Sequence, residues 1–141
     1  ALYGGADDDR LSGGAGHDVM AGDAGQDNLF AGTGDDALTG GAGNDTLSGG
    51  IGNDTLTGDA GNDDLRGGEG SDLFVFGAAS GQDRILDFVS GLDGLQLDVA
   101  FDAATTAKGV ILTSREDPAD QILVLGATRS DLEGIDNLFF A

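Results

Sequence analysis

The first half of the chain repeats one nine-residue pattern eight times in succession. Between residues 4 and 75, glycine fills most of the first, second and fourth positions, aspartate fills every sixth position, and a large apolar residue fills every eighth. In register the copies read GGADDDRLS, GGAGHDVMA, GDAGQDNLF, AGTGDDALT, GGAGNDTLS, GGIGNDTLT, GDAGNDDLR and GGEGSDLFV. A strict period of this length is typical of a solenoid, in which each repeat stacks on its neighbours.

Each copy divides into a turn and a strand. Glycine adopts backbone angles that other residues avoid, so the first six residues can reverse direction tightly. The last three residues predict a very short strand. Because side chains alternate between the two faces of a strand, the eighth residue faces inward and its neighbours face outward. The inward residues are Leu11, Met20, Leu29, Leu38, Leu47, Leu56, Leu65 and Phe74.

The aspartates predict a metal site. If two repeats make one coil, aspartates of alternate copies stack at the ~4.8 Å spacing of strands. One edge then carries Asp9, Asp27, Asp45 and Asp63, and the other carries Asp18, Asp36, Asp54 and Asp72. Unit charges this close repel by ~1 kcal/mol even in water, so the empty coil opposes its own formation and a bound cation reverses the effect.

The potential metal ligands in the turns favour calcium. The turns provide carboxylates and backbone carbonyls, the chain has no cysteine, and it has one histidine. An all-oxygen set suits Ca²⁺, whereas Mg²⁺ demands stricter octahedral geometry. We predict about six ions sandwiched between repeats, with folding and metal binding coupled. The glycines predicted to border the ions are Gly14, Gly16, Gly32, Gly34, Gly41, Gly43, Gly50, Gly52, Gly61, Gly68 and Gly70.

The nonapeptide Gly-Gly-x-Gly-x-Asp-x-apolar-x resembles the repeats-in-toxin (RTX) family, whose hemolysin-type calcium-binding repeats form a parallel β-roll. The resemblance implies an all-β fold, a β-solenoid of two short-stranded sheets with a β-rich C-terminal capping segment. Four residues depart from the pattern: Asp7, Asp23, Asp59 and Ala31 each replace a glycine. Because aspartate enters the left-handed region at modest cost, we expect the turn at Asp7 to be the least regular and the first site to be the weakest.

The amino-acid composition limits the kinds of partner that this chain can bind. Lys and Arg total 6 against 26 Asp and Glu, a net charge of −20. Nucleic acid and anionic membrane surfaces are therefore poor partners, and cations are natural ones. No apolar run is long enough to cross a bilayer, and the first residues do not form a secretory signal. Because the chain does not begin with Met, we expect it to be a piece of a longer protein or a processed one.

The sequence predicts two parts: a β-roll over residues 1–75 and a C-terminal cap over residues 76–141. Residues 78–86 read as a degenerate ninth copy, which makes Asp83 a secondary calcium candidate. Asp87 and Asp93 follow, and Asp93 again lies in a Gly-x-Asp-x-Leu context; the alternative for both is a solvated surface position. Strands are expected at 95–99, 110–112, 122–125 and 138–141, with a polar turn at 115–120. Ser130 and Glu133 have the spacing of a helical capping box.

The end of the chain also resembles proteins exported by bacterial type I secretion. In those proteins β-roll repeats precede an uncleaved signal of acidic and then apolar residues, here DNLFFA at residues 136–141. The resemblance implies a secreted, extracellular protein that binds calcium ions and engages the type I machinery. Such a chain stays unfolded in calcium-poor cytoplasm and folds outside the cell.

No catalytic group of residues stands out. His17 is alone at the fifth, exposed position of a turn and is predicted to be a solvated loop residue. Two functions remain open: a non-catalytic calcium module that supports secretion and stability of a larger protein, or a carbohydrate-binding accessory module like those of alginate epimerases. An anionic polymer would need a basic track, and the second half offers only Arg84, Lys108, Arg115 and Arg129.

The outward residues differ between the two predicted sheets. Even copies place no charge at positions seven and nine, whereas odd copies place Arg10, Asp64 and Arg66 there. We therefore predict that the even face is covered by the C-terminal segment, a neighbouring domain or a second copy of the chain. Exposure of Val19 and Leu73 tests this prediction.

Overall fold

The computed structural model describes residues 1–140; Ala141, predicted to end both the last strand and the secretion signal, lies outside the described residues. The repeats form nine strands. They are β1 (Leu2–Ala6), β2 (Arg10–Ala15), β3 (Val19–Ala24), β4 (Asn28–Thr33), β5 (Ala37–Ala42), β6 (Thr46–Ile51), β7 (Thr55–Ala60), β8 (Asp64–Glu69) and β9 (Leu73–Phe76).

These strands coil into a parallel β-solenoid, as predicted. Odd-numbered strands form one sheet, in the order β1-β3-β5-β7-β9, and even-numbered strands form the other. Each residue pairs with the equivalent residue two copies later, so Leu11 lies beside Leu29 and Met20 lies beside Leu38. Two repeats therefore make one turn of the coil, and every column of side chains contains identical repeat positions.

The strands are longer than predicted. Most have six residues rather than three, running from the seventh position of one copy to the third of the next. The prediction was wrong because the glycines after the apolar residue continue the ladder: Gly14 pairs with Gly32, and Gly32 pairs with Gly50.

The core is a column of eighth-position side chains. From Met20 to Phe74 these residues are 0–1% exposed. Burying one such side chain stabilises the fold by roughly 1.5–3 kcal/mol. Leu2 and Leu11, at the first turn of the coil, are only partly buried.

The coil continues beyond residue 76. The degenerate copy forms β10 (Gln82–Ile85), which pairs with β8 so that Ile85 lies beside Leu65. The next strand, β11 (Gly94–Leu97), pairs with β9 and places Leu95 beside Phe74. Insertions lengthen the repeat here, and the interior column nevertheless stays aligned.

The remaining residues extend and close the sheet that contains β10. The elements are β12 (Phe101–Thr105), β13 (Gly109–Ser114), β14 (Gln121–Leu125), a 3₁₀ turn (Arg129–Asp131) and β15 (Leu138–Phe140). Strand β14 pairs in parallel with β10, whereas β12, β13 and β14 form an antiparallel meander. Strand β12 was not predicted. Its sequence, FDAAT, alternates too weakly to be recognised.

Two further predictions need correction. The capping box uses Thr128 and Asp131 rather than Ser130 and Glu133: Asp131 Oδ2 accepts the backbone N–H of Thr128 at 2.7 Å. The C-terminal segment also leaves Val19 uncovered, at 52% exposed, whereas Leu73, the second test position on the face formed by even copies, is half-buried. The segment adds strands to the sheets instead of packing across them.

Candidate metal centre

The aspartates form two continuous ladders. The backbone N–H of each sixth-position aspartate donates to Oδ1 of the aspartate two copies later, at 2.6–3.0 Å. The odd ladder contains Asp9, Asp27, Asp45, Asp63 and Asp83. The even ladder contains Asp18, Asp36, Asp54, Asp72 and Asp93. The structure therefore places all ten predicted aspartates at equivalent positions.

The second oxygen of most of these carboxylates has no partner. In seven aspartates Oδ2 is buried without a hydrogen bond: Asp27, Asp36, Asp45, Asp54, Asp63, Asp72 and Asp83. These side chains are 0–3% exposed. A buried polar atom without a partner costs about 1–3 kcal/mol, and more when it is charged. Each Oδ2 therefore requires a proton or a cation.

First-position glycines leave space beside these oxygens. A Cβ added to Gly13 would lie 2.7 Å from Asp18 Oδ2 and 2.8 Å from the carbonyl oxygen of Ala31. At Gly4 the corresponding oxygens, Asp9 Oδ2 and Gly22 O, are both 2.7 Å away. A carboxylate from one copy and a carbonyl two copies later thus converge on one small space. These carbonyls are not among the predicted ligands.

The predicted glycines at positions two and four allow the rungs to approach closely. Gly34 has φ = 125°, and a Cβ there would collide with the carbonyl oxygen of Gly16. Among the described residues, no turn N–H donates to the carbonyls of Gly16, Gly34 or Gly52. These carbonyl oxygens lie against the next rung and are free to act as ligands. Their assignment as ligands stays a prediction.

A second ladder, not predicted, runs along the fifth positions. Asn53 N–H donates to Asp35 Oδ1, and Asn62 N–H donates to Asn44 Oδ1, each at 2.8 Å. His17 belongs to this ladder, since its Nδ1 accepts the N–H of Asp35 at 2.8 Å. It is exposed as predicted, but it holds two turns together. The signal in the sequence was the uniform hydrogen-bonding character of the fifth position.

Burial and mutual repulsion act on the ladder carboxylates. Desolvation raises the pKa of Asp54 and Asp63 to about 6 and that of Asp83 to about 8, although each accepts a backbone hydrogen bond that opposes the shift. Neighbouring aspartates add to the increase. The same causes raise the pKa of Asp45 and Asp72. Without metal, the surroundings of these five carboxylates therefore disfavour the ionised form.

The donor set fits a hard cation. Within residues 1–140, no three His, Cys, Asp or Glu side chains converge to hold a metal by themselves. An ion between rungs would therefore combine carboxylate Oδ2 atoms with backbone carbonyls. Calcium accepts this mixture and tolerates irregular geometry, whereas zinc prefers nitrogen and sulfur.

Asp87 and Asp93 lie near the end of the even ladder. Asp93 Oδ1 accepts the N–H of Asp72 and its Oδ2 accepts the N–H of Val89, so neither oxygen is orphaned. Asp87 accepts the N–H groups of Gly67 and Gly68. Asp87 is half-buried, which does not fit the alternative of a solvated surface carboxylate, and burial raises its pKa. Its carboxylate therefore pairs with backbone N–H groups inside β8.

These features define a class: a parallel β-roll whose stacked aspartates and turn carbonyls form oxygen-lined gaps between rungs. A family model for the RTX calcium-binding nonapeptide repeat matches residues 3–38, 21–56 and 39–74, half of the chain in total. The chain belongs to this family, and its repeats are calcium-binding repeats.

Two solved structures resemble the whole chain. One is the AlgE6R3 subunit of the Azotobacter vinelandii mannuronan C5-epimerase, with 26% identity, 96% of this chain and 80% of that chain covered, and a TM-score of 0.53. The other is the extracellular lipase LipA from Serratia marcescens, with 16% identity, coverage of 100% and 40%, and a TM-score of 0.52. The lipase supports the fold alone. A comparison with curated protein sequences gives no match.

Proposed function

We propose that this chain is a non-catalytic module that folds when calcium binds outside the cell and thereby stabilises a larger secreted protein. The observation that carries the proposal is the column of buried Oδ2 atoms without partners. Burying so many carboxylates at neutral pH is costly, and a bound cation offsets that cost. Extracellular calcium, at millimolar levels, matches the ~10⁻⁴–10⁻³ M affinities of extracellular modules.

The proposed ligands are the ten ladder aspartates and the glycine carbonyls between rungs. Eight aspartates, Asp9 to Asp72, each face a further rung two copies later. Up to eight ions therefore fit, two more than the six expected from the repeats alone. The additional gaps are those closed by Asp83 and Asp93.

The two parts of the chain have different proposed roles. We assign calcium binding mainly to residues 1–75 and capping of the coil to residues 76–141. The segment DNLFFA at residues 136–141 is proposed as the type I secretion signal. The described part of the chain contains no helix with the length and apolar character needed to cross a bilayer.

Circular dichroism during a calcium titration tests the folding proposal. We expect strand signal to appear cooperatively with calcium and not with magnesium. Substituting Asn for both Asp45 and Asp54 should raise the calcium midpoint at least tenfold, because Asn keeps the Oδ1 acceptor but places an amide group at the ligand position. The charge-matched control is Asp98→Asn with Glu116→Gln, which changes two exposed residues. Equal strand content in chelator and in calcium would refute the proposal.

A carbohydrate-binding role is the second candidate. It is supported by the similarity to the epimerase subunit and by a groove of about 210 Å³ lined by Gln82, Asp83, Arg84, Ile111, Gln121 and Leu123. Arg84 forms an ion pair with Asp64, at 2.5 Å, which weakens it as an anion receptor. Retention of the calcium-loaded chain on a column of any one polysaccharide would favour this role.

A further inference from the structure

A buried polar cluster lies where the odd ladder meets the C-terminal cap. Its members are Ser80, Asp83 and Asp120, which are 3%, 2% and 4% exposed. Asp83 is the last aspartate of the odd ladder, and its Oδ1 accepts the N–H of Asp63 at 3.0 Å. The cluster is therefore continuous with the ladder on one side, and on the other it faces the loop before β14.

Asp120 lies two residues before the position that continues the odd ladder, because Asp83 pairs with Ile122. It precedes β14, whose first residue, Gln121, pairs with Gln82 of the degenerate copy. Its Oδ1 accepts the N–H of Gly81 at 3.0 Å and its Oδ2 accepts the N–H of Ala79 at 2.8 Å. These two N–H groups flank Ser80. The cap thus inserts a carboxylate into the turn that carries Asp83.

Two oxygens in this cluster, Asp83 Oδ2 and Ser80 Oγ, are fully shielded from solvent and make no hydrogen bond of good geometry. The Ser80 hydroxyl is nevertheless close enough to the Asp83 carboxyl to interact with it. Of the seven orphaned Oδ2 atoms, six belong to aspartates that face another ladder aspartate, and Asp83 alone faces the cap. Asp83 and Asp120 also repel each other electrostatically. Two buried carboxylates without a counter-ion are costly, and a divalent cation would relieve both the repulsion and the missing bonds.

We propose that Ser80, Asp83 and Asp120 form an additional calcium site, in which the cap supplies the carboxylate that a repeat supplies elsewhere. A hydroxyl, carboxylates and backbone carbonyls are all suitable calcium ligands. The site rests on the proposed function, namely that the ladders bind calcium. Its consequence is that the ion joins the cap to the coil, so the antiparallel meander docks fully only in the calcium-loaded protein.

The test counts calcium ions bound by the full chain, using equilibrium dialysis against calcium with metal quantification. We expect Asp120→Asn to bind one ion fewer than Glu116→Gln, which removes the same charge from an exposed position in the same loop. Ser80→Ala keeps both hydrogen bonds of Asp120. It should retain the ion count at saturation and weaken one site about tenfold.

The outcomes separate the two proposals. Equal ion counts and equal affinities for Asp120→Asn and Glu116→Gln would overturn the cap site while leaving the ladder sites intact. If Asp120→Asn does not fold in calcium, as judged by strand signal, the calcium affinities of Ser80→Ala become the test. Unchanged affinity at every site in Ser80→Ala would overturn the cap site. If the unaltered chain binds no calcium, the proposed function fails and the cap site fails with it.

Discussion

The ladder aspartates use their two carboxylate oxygens differently. In Asp45, for example, Oδ1 accepts the N–H of Asp27 at 2.8 Å, whereas Oδ2 remains free in the interior. The hydrogen bond fixes the orientation of the carboxylate, so the free oxygen is held in place before any ion arrives. A side chain one methylene longer could not keep this bond without moving the free oxygen. This is why every copy has aspartate and none has glutamate at the sixth position.

The three aspartates that replace glycines of the repeat differ in backbone conformation. Asp23 and Asp59 have φ = 73° and 67°, in the left-handed region that aspartate tolerates, whereas Asp7 has φ = 150°. The turn at Asp7 was expected to be irregular, yet its N–H donates to Ala24 O at 2.9 Å, just as Gly16 N–H donates to Thr33 O at 2.8 Å. The backbone is regular, and the strain falls on Asp7 itself.

Replacing Asp7 with glycine should therefore stabilise the calcium-loaded protein. Backbone strain of this kind costs ~1–3 kcal/mol, and glycine loses ~0.4–1 kcal/mol through the entropy of the unfolded chain. We expect a net gain of about 1 kcal/mol in chemical denaturation. Asp23→Gly removes the same charge from a tolerated conformation and should change stability little. An equal effect of both substitutions would show that charge, not backbone strain, is responsible.

At the scale of elements, stability comes from the stacked eighth-position side chains. Each strand contacts its neighbours two copies away, so the free energy of unfolding is close to a sum of rung-to-rung interactions. Leu47 is fully buried in the middle of the column, whereas Leu11, at the first turn, is only partly buried.

Leu47→Ala should destabilise the calcium-loaded protein by about 2–5 kcal/mol, as expected for a cavity in a packed core. Leu11→Ala should cost less than half as much, because part of its surface is already exposed. Denaturant unfolding monitored by strand signal, at saturating calcium, measures both. Equal losses at the two positions would contradict a solenoid whose interior column is tightest at its centre.

The repeat half was predictable because one position in nine fixes the register of every strand. The same period predicted both aspartate ladders, whereas a degenerate copy indicated Asp83 and a Gly-x-Asp-x-Leu context indicated Asp93. The strand ends were not predictable, since glycine is a poor strand former and pairs here only because the neighbouring rung does so. Asp120 was hidden for a different reason: its role depends on β14 returning to pair with β10, and no local pattern encodes that pairing.

At the scale of the whole molecule, acidic charge acts against the fold in the absence of metal. The chain has a net charge of −20, and its ladders bury carboxylates in two rows. Burial and repulsion raise the pKa of Asp54 and Asp63 to about 6 and that of Asp83 to about 8. A raised pKa in the folded state means that protonation favours the fold. The stability that protonation of these carboxylates gives the metal-free fold is fully present below their ordinary pKa of 3.8. It is lost as the pH rises through about 6 for Asp54 and Asp63, and through about 8 for Asp83.

Acid should therefore replace calcium in part. In calcium-free buffer, we expect strand signal to increase as pH falls from 8 to 5, while calcium affinity decreases over the same range because protons compete for the same oxygens. Asp63→Asn, which imitates the protonated side chain, should strengthen the metal-free fold at pH 7.5 and weaken calcium binding. The exposed substitution Asp98→Asn should do neither. Circular dichroism across the pH range measures these effects, and strand content that stays constant or falls on acidification would show that the buried carboxylates are not what keeps the metal-free chain unfolded.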